Sequence, residues 1–139
     1  MPFVRNFRLG VALSCADWRL HHVQANFNSR LAETLDVEGV NTTALPGPDG
    51  LILPHRENEL AVVAGWIKLH IKVHDPRVLA VVAHQRCAGH PVSDSEHEID
   101  AVRTARALKE RTGFAGPMIA VLAAYRHEFH WDLNVLEHM

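Results

Sequence analysis

The chain has 139 residues, 47% of them hydrophobic, and 14 basic against 16 acidic side chains give a formal charge of −2. About 100–200 residues is usual for one compact domain, so residues 1–139 read as a single α/β domain able to bury its own core. The balanced charge argues against a nucleic-acid partner, no apolar run reaches the about 18 residues of a membrane span, and no secretory segment opens the chain, so a soluble cytoplasmic protein is expected.

Leu9 to Cys15 is a short apolar run of the kind a strand buried on both faces shows. Leu20, Val23, Phe27, Leu31 and Leu35 follow at three- and four-residue spacing, which predicts an amphipathic helix. Asp36 to Ala44 reads as a second strand, closed by Pro46-Gly47-Pro48-Asp49-Gly50, whose composition prescribes a tight turn. That stretch lacks the Walker pattern of a phosphate cradle and reads as a turn able to line a site.

Leu60, Val63, Ile67 and Ile71 mark a helix from about Arg56 to His74, stopped by Asp75-Pro76 because a residue before proline avoids the helical region. Val78 to Ala83 is a third strand, a six-residue apolar block with three valines. Ser93-Asp94-Ser95-Glu96 offers a capping box for a helix that carries Ile99, Val102, Ala105 and Leu108 and ends near Gly113. Pro117 to Ala124 is a fourth strand, and the tail around Asp132 to Leu136 holds one more strand or helix.

This β-α-β-α-β-α-β alternation predicts a mostly parallel sheet of four to five strands flanked by helices, with right-handed crossovers. In such sheets ligands sit at the carboxyl ends of strands where the strand order reverses. The only two cysteines, Cys15 and Cys87, fall in that region. They could form a disulfide, but a reducing compartment favours metal binding or catalysis. Their neighbourhoods are Cys15-Ala16-Asp17-Trp18-Arg19 and His84-Gln85-Arg86-Cys87. Together these supply two sulfurs, an imidazole and a carboxylate, the donor types zinc accepts. The pairs converge only if the first and third strands are neighbours, which implies the order 2-1-3-4.

These strings resemble the zinc site of the β-class carbonic anhydrases, built from a C-x-D-x-R motif and a later H-x-x-C motif. The proline- and glycine-rich loop at 46–50 and the helix opening at Glu57-Asn58-Glu59-Leu60 also fall where that family has its second-strand loop and following helix. The resemblance covers most of the chain, from about residue 9 to residue 125. It implies one zinc per chain on Cys15, His84 and Cys87, and reversible hydration of CO2 to bicarbonate by a metal-bound hydroxide. Asp17 would orient the nucleophile, or take the fourth metal position in a closed form, and Arg19 would hold Asp17 off the metal. His90 is placed to shuttle a proton, with a solvated loop histidine as the plainer reading. The remaining histidines read as scattered over faces and ends.

Three departures from the family pattern bear on activity. Trp18 stands where a small residue is usual and would narrow the channel. With the first strand expected within about ten residues of Met1, the family's N-terminal dimer-forming arm is expected to be missing, so the homodimer or higher homo-oligomer implied by the resemblance would use helix faces or the tail after Ala124. The family's substrate-contacting glutamine has no counterpart, leaving Asn41, Thr42 or Thr43 as substitutes. Hydrolysis of COS or CS2, and a zinc-binding structural or regulatory module with negligible turnover, are the alternatives to CO2 hydration.

Overall fold

The computed structural model of the protein describes residues 7–139; Met1–Asn6, read above for targeting signals, lie outside the described residues. The first apolar run forms β1 (Leu9–Cys15), followed by a one-turn helix α1 (Trp18–His21), α2 (Phe27–Leu35) and β2 (Gly39–Leu45). Two short 3-10 turns, Pro48–Ile52 and Pro54–Arg56, lead into α3 (Glu57–His74), β3 (Val78–His84), α4 (Asp94–Thr112), β4 (Met118–His127) and β5 (His130–His138). The strands form one sheet in the order β2-β1-β3-β4-β5, parallel except for the antiparallel β4–β5 pair. The tail is thus a strand, set by the hairpin at His127–His130 with Phe129 in the left-handed region.

Side chains alternate across the sheet, so each inner strand feeds two cores. Val11, Leu13, Leu79, Val81 and Ala120 pack with Leu60, Ile67 and Leu108 of α3 and α4. Ala12, Val78, Ala80, Val82 and Val121 pack with Leu20, Leu31, Leu35 and Trp131 on the other face. Leu20, Leu31, Leu51, Leu60, Leu79 and Leu108 are sealed from water, and burying each such side chain contributes roughly 1.5–3 kcal/mol by transfer alone. Among the described residues no helix is long and apolar enough to cross a membrane.

The structure refines several local expectations. The helix expected over Leu20–Leu35 is two helices separated by a 3-10 turn, Val23–Ala25. The His22 ring accepts from the Gln24 amide, and Asn26, a residue that tolerates positive φ, turns the chain at φ 50°. Leu20 and Phe27 still reach one core while Val23 is 84% exposed.

The tight turn expected at Pro46–Gly50 takes the form of a 3-10 turn. Gly47 at φ +49° opens the 3-10 turn and Pro48 occupies its first position, where no amide donor is missed. On α4, the expected apolar face is rotated, for Ile99 is 57% exposed. His97, Asp100, Ala101, Thr104, Ala105 and Leu108 face inward instead. Ser93 caps α4 by accepting from the Glu96 amide, but its hydroxyl donates to the Glu96 carboxylate, so the reciprocal half of the capping box is replaced.

Candidate metal centre

β1 has β2 on one side and β3 on the other, so the chain leaves β1 and β3 in divergent directions and opens a crevice at their carboxyl ends. Cys15 is the last residue of β1 and His84 the last of β3. After His84 the chain is turned by Gln85, whose amide donates to Ala123 O while its side-chain oxygen accepts from the Tyr125 amide. Arg86 then takes φ 57°, and this sharp turn brings Cys87 back under His84.

Cys15 Sγ and Cys87 Sγ lie 3.7 Å apart, both thiols free and buried. Two sulfurs bound tetrahedrally at about 2.3 Å would be separated by about 3.8 Å, so the pair has the spacing of ligands and not of a disulfide. His84 is fully buried, and its Nδ1 is 2.7 Å from the Gln85 carbonyl oxygen, to which it donates as N–H. That leaves Nε2 with a free lone pair and no hydrogen-bond partner. Cys15, His84 and Cys87 each offer a donor atom within 4.8 Å of the others. The orphaned imidazole nitrogen beside two thiols is a cost in free energy that a metal ion would remove.

Electrostatics within the cluster are strongly coupled. The hydrogen bond from Cys87 draws the Cys15 thiol down to about 4, against the opposing effect of burial and aided by His84 and the Gly47 N–H. The Cys87 thiol is pushed up by the same hydrogen bond and by burial, although the N–H groups of His90 and Gly89 pull it the other way. The sulfurs therefore share one proton, with Cys15 as the thiolate. Burial disfavours a charged His84, but the Cys15 thiolate overcomes this and raises its pKa overall.

Backbone donors reach the sulfurs because two loops touch. A Cβ on Gly47 would stand 2.8 Å from the Gly89 carbonyl, and one on Gly89 would stand 2.8 Å from Gly47 N. Only glycine permits that approach. Arg56, which the sequence did not single out, clamps the first loop by donating to Gly47 O at 2.6 Å and Pro46 O at 2.8 Å.

Asp17 caps α1 and is gripped by Arg19. Its Oδ1 accepts from the Arg19 amide at 2.9 Å and Nε at 3.1 Å, and its Oδ2 accepts from Nη2 at 2.6 Å. This guanidinium holds the Asp17 carboxyl below its ordinary value, and the Arg19 pKa rises in return. Nη2 also donates to Arg86 O at 3.2 Å, tying the loop after β1 to the loop after β3. Asp17 is directed at Arg19 and is not among the clustered donors.

Other expected residues fall in different places. Trp18 is 66% exposed and packs edge-on against Phe129 at 5.7 Å, so it lies outside the crevice. Trp131 is the indole at the site, edge-on to His84 at 5.5 Å. His90 is not a solvated loop residue: it is 4% exposed, with Nε2 2.8 Å from Asp100 Oδ2. Thr42 is tied to Asn28, whereas Thr43 lines a groove of about 380 Å³ beside Ala44, Leu45, Glu59, Val62 and Trp66. Asp49 and His97, also unforeseen, are fully buried and 2.6 Å apart. A signal was present in the sequence, since His97 lies on the helical line of Ala101, Ala105 and Leu108, where an apolar residue is the norm.

The model of a family described as putative carbonic anhydrase matches residues 5–135 of the chain. No curated protein sequence matches it.

Proposed function

The chain belongs to the family described as putative carbonic anhydrase, and from that premise we propose that it catalyses the reversible hydration of CO2 to bicarbonate with one zinc ion held by Cys15, His84 and Cys87. The observation that carries this reading is the cluster itself: two thiols at ligand spacing and an imidazole whose Nε2 has no other partner. Zinc bound there supplies Lewis acidity that makes a water nucleophilic near neutral pH. Two thiolates offset the charge of the ion, so activity rises toward alkaline pH instead of being full at pH 7.

The chain's own groups do the rest. N–H groups of Gly47, Gly89 and His90 steady the sulfurs. Arg19 fixes both oxygens of Asp17 and keeps the carboxylate ionised, so that it accepts a hydrogen bond from the attacking water and orients it. The groove beside Leu45, largely apolar and next to Cys15 in register, suits entry of an uncharged linear substrate.

Self-association belongs to the same reading. Val62, Trp66, Leu69 and Val73 form a stripe along α3, each more than half exposed, beside the open edge of β2. A second copy seated there would wall in the groove, giving a homodimer whose interface borders the site. Two free thiols at this spacing suit a reducing compartment, the cytoplasm.

The test combines zinc analysis of protein purified without chelator with stopped-flow CO2 hydration from pH 7 to 9. Expected are one zinc per chain, hydration that rises with pH, and loss of both in Cys87→Ser. Absence of zinc, or zinc with no hydration at any pH, refutes the proposal; activity on COS or CS2 alone would replace the substrate and keep the site.

A further inference from the structure

On the α4 side of the loops that flank the thiol cluster, a second set of donor atoms converges from three segments. Asp49 comes from the 3-10 turn, His90 from the loop after β3, and His97 and Asp100 from the first turns of α4. Asp49 Oδ2 is 2.6 Å from His97 Nδ1 and 3.8 Å from His90 Nε2, and His90 Nε2 is 2.8 Å from Asp100 Oδ2. The imidazoles meet edge to face at 5.5 Å. None of these residues is more than 8% exposed.

We propose that Asp49, His90 and His97, with the Asp100 carboxylate at the rim beside His90, form a second metal site for a divalent transition cation, built from imidazole and carboxylate and separate from the thiolate centre. Three observations support it. First, one donor atom from each of Asp49, His90 and His97 lies within 4.8 Å of the others and Asp49 Oδ2 faces both histidines, while the Asp100 carboxylate reaches only His90 and stands outside that group. Neighbouring ligands on a tetrahedral ion with bonds of about 2.0–2.1 Å stand roughly 3.3 Å apart, and the two distances from Asp49 Oδ2 straddle that value.

Second, two buried carboxylates need two positive charges. Among the described residues Asp49 is ion-paired only with the two histidines, and Arg103, 3.9 Å from Asp100 Oδ1, is 58% exposed on its side chain. A divalent cation meets the requirement at one point. Third, Asp49 Oδ1 is buried without a partner, so the carboxylate keeps acceptor capacity that its contact with His97 does not use.

The donor chemistry selects the ion. Two imidazoles and a carboxylate, with a second carboxylate at the rim, suit Zn2+, Co2+, Fe2+ or Mn2+ and not a soft monovalent ion. The Asp100 side chain, 12% exposed, gives the access route. An ion here would join the loop bearing Gly47 and the loop bearing Gly89 and His90 to α4, fixing the N–H groups that face the cysteine sulfurs. His90 would then serve as a ligand in place of the proton shuttle.

The inference does not require the proposed catalytic activity, and cobalt separates the two sites because only thiolate coordination gives an intense sulfur-to-metal charge-transfer band. Full-length protein is titrated with Co2+ and the bound metal counted after gel filtration. Expected are two equivalents for the wild type and one for Cys15→Ser/Cys87→Ser, the latter showing d–d absorption without the charge-transfer band. Asp49→Asn and, at the rim where folding is least at risk, Asp100→Asn should each retain the band and lose the second equivalent, or bind it at least tenfold more weakly.

Saturation of the wild type at one equivalent with a full charge-transfer band overturns the proposal and leaves a plain hydrogen-bond network. Persistence of the second equivalent in both aspartate variants, or its loss in His70→Gln, overturns it too, by moving the ion to the exposed face of α3, where His70 stacks on His74. Absence of the charge-transfer band from the wild type would count against the thiolate centre alone.

Discussion

Replacing Arg19 with alanine tests the most specific feature of the site. Arg19 donates three hydrogen bonds to Asp17, one from the main chain and two from the guanidinium; the substitution removes the latter and the bond to Arg86 O. Hydrogen bonds to a charged group contribute about 1.5–3 kcal/mol when sheltered and exposed ion pairs about 0.2–1. With side-chain exposures of 30% for Arg19 and 14% for Asp17, the pair lies between these limits, at about 1–2 kcal/mol. Losing that restraint should shift the carboxylate toward the metal by a factor of about 5–30 and lower CO2 hydration by a similar factor, since 1.4 kcal/mol is tenfold.

Zinc content of Arg19→Ala should stay at one per chain, and Arg19→Lys should recover part of the rate because it restores charge without the bidentate fork. The stability part has a definite sign. Asp17 has a folded pKa below its ordinary 3.8, so its pairing stabilises the fold fully above that value and is lost as pH falls through the lower, folded pKa. The urea midpoints of wild type and Arg19→Ala should therefore differ by a constant amount near neutral pH and converge below about pH 4. An Arg19→Ala protein with full zinc and an unchanged hydration rate would refute the gating argument.

Two glycine substitutions should act in opposite directions. Gly47→Ala combines φ +49° with a Cβ 2.8 Å from the Gly89 backbone, and should cost more than about 2 kcal/mol in urea unfolding and weaken zinc retention. Gly65→Ala, inside α3 with nothing within 4 Å, should stabilise by about 0.5–1 kcal/mol in the same assay. Trp66→Glu places a charge in the α3 stripe, and sedimentation should report a shift toward monomer; an unchanged mass in solution at all concentrations would remove α3 from the interface.

Much of the fold was readable because its signals are local. Parallel strands covered on both faces are continuous apolar runs, so Leu9–Cys15 and Val78–Ala83 identify themselves, and the C-x-D-x-R and H-x-x-C strings mark strand ends by position. Helix faces were less secure. Apolar spacing joined Leu20 to Phe27 across a break that depends on His22 and Asn26, and it assigned Ile99 to the core because the polar residues that occupy the inner face of α4 disguise the true stripe.

The sequence by itself determined the strand-helix alternation, the implied neighbouring of the first and third strands, and a thiol and imidazole set of one metal-binding type. Only the tertiary structure decided that Asp17 is turned to Arg19, that Gly47 and Gly89 bring two loops into backbone contact, and that Asp49, His90, His97 and Asp100 meet. The reason is physical: hydrophobic periodicity is written residue by residue along the chain. Convergence of polar groups from segments up to about fifty positions apart depends on loop geometry and packing, which no local pattern records.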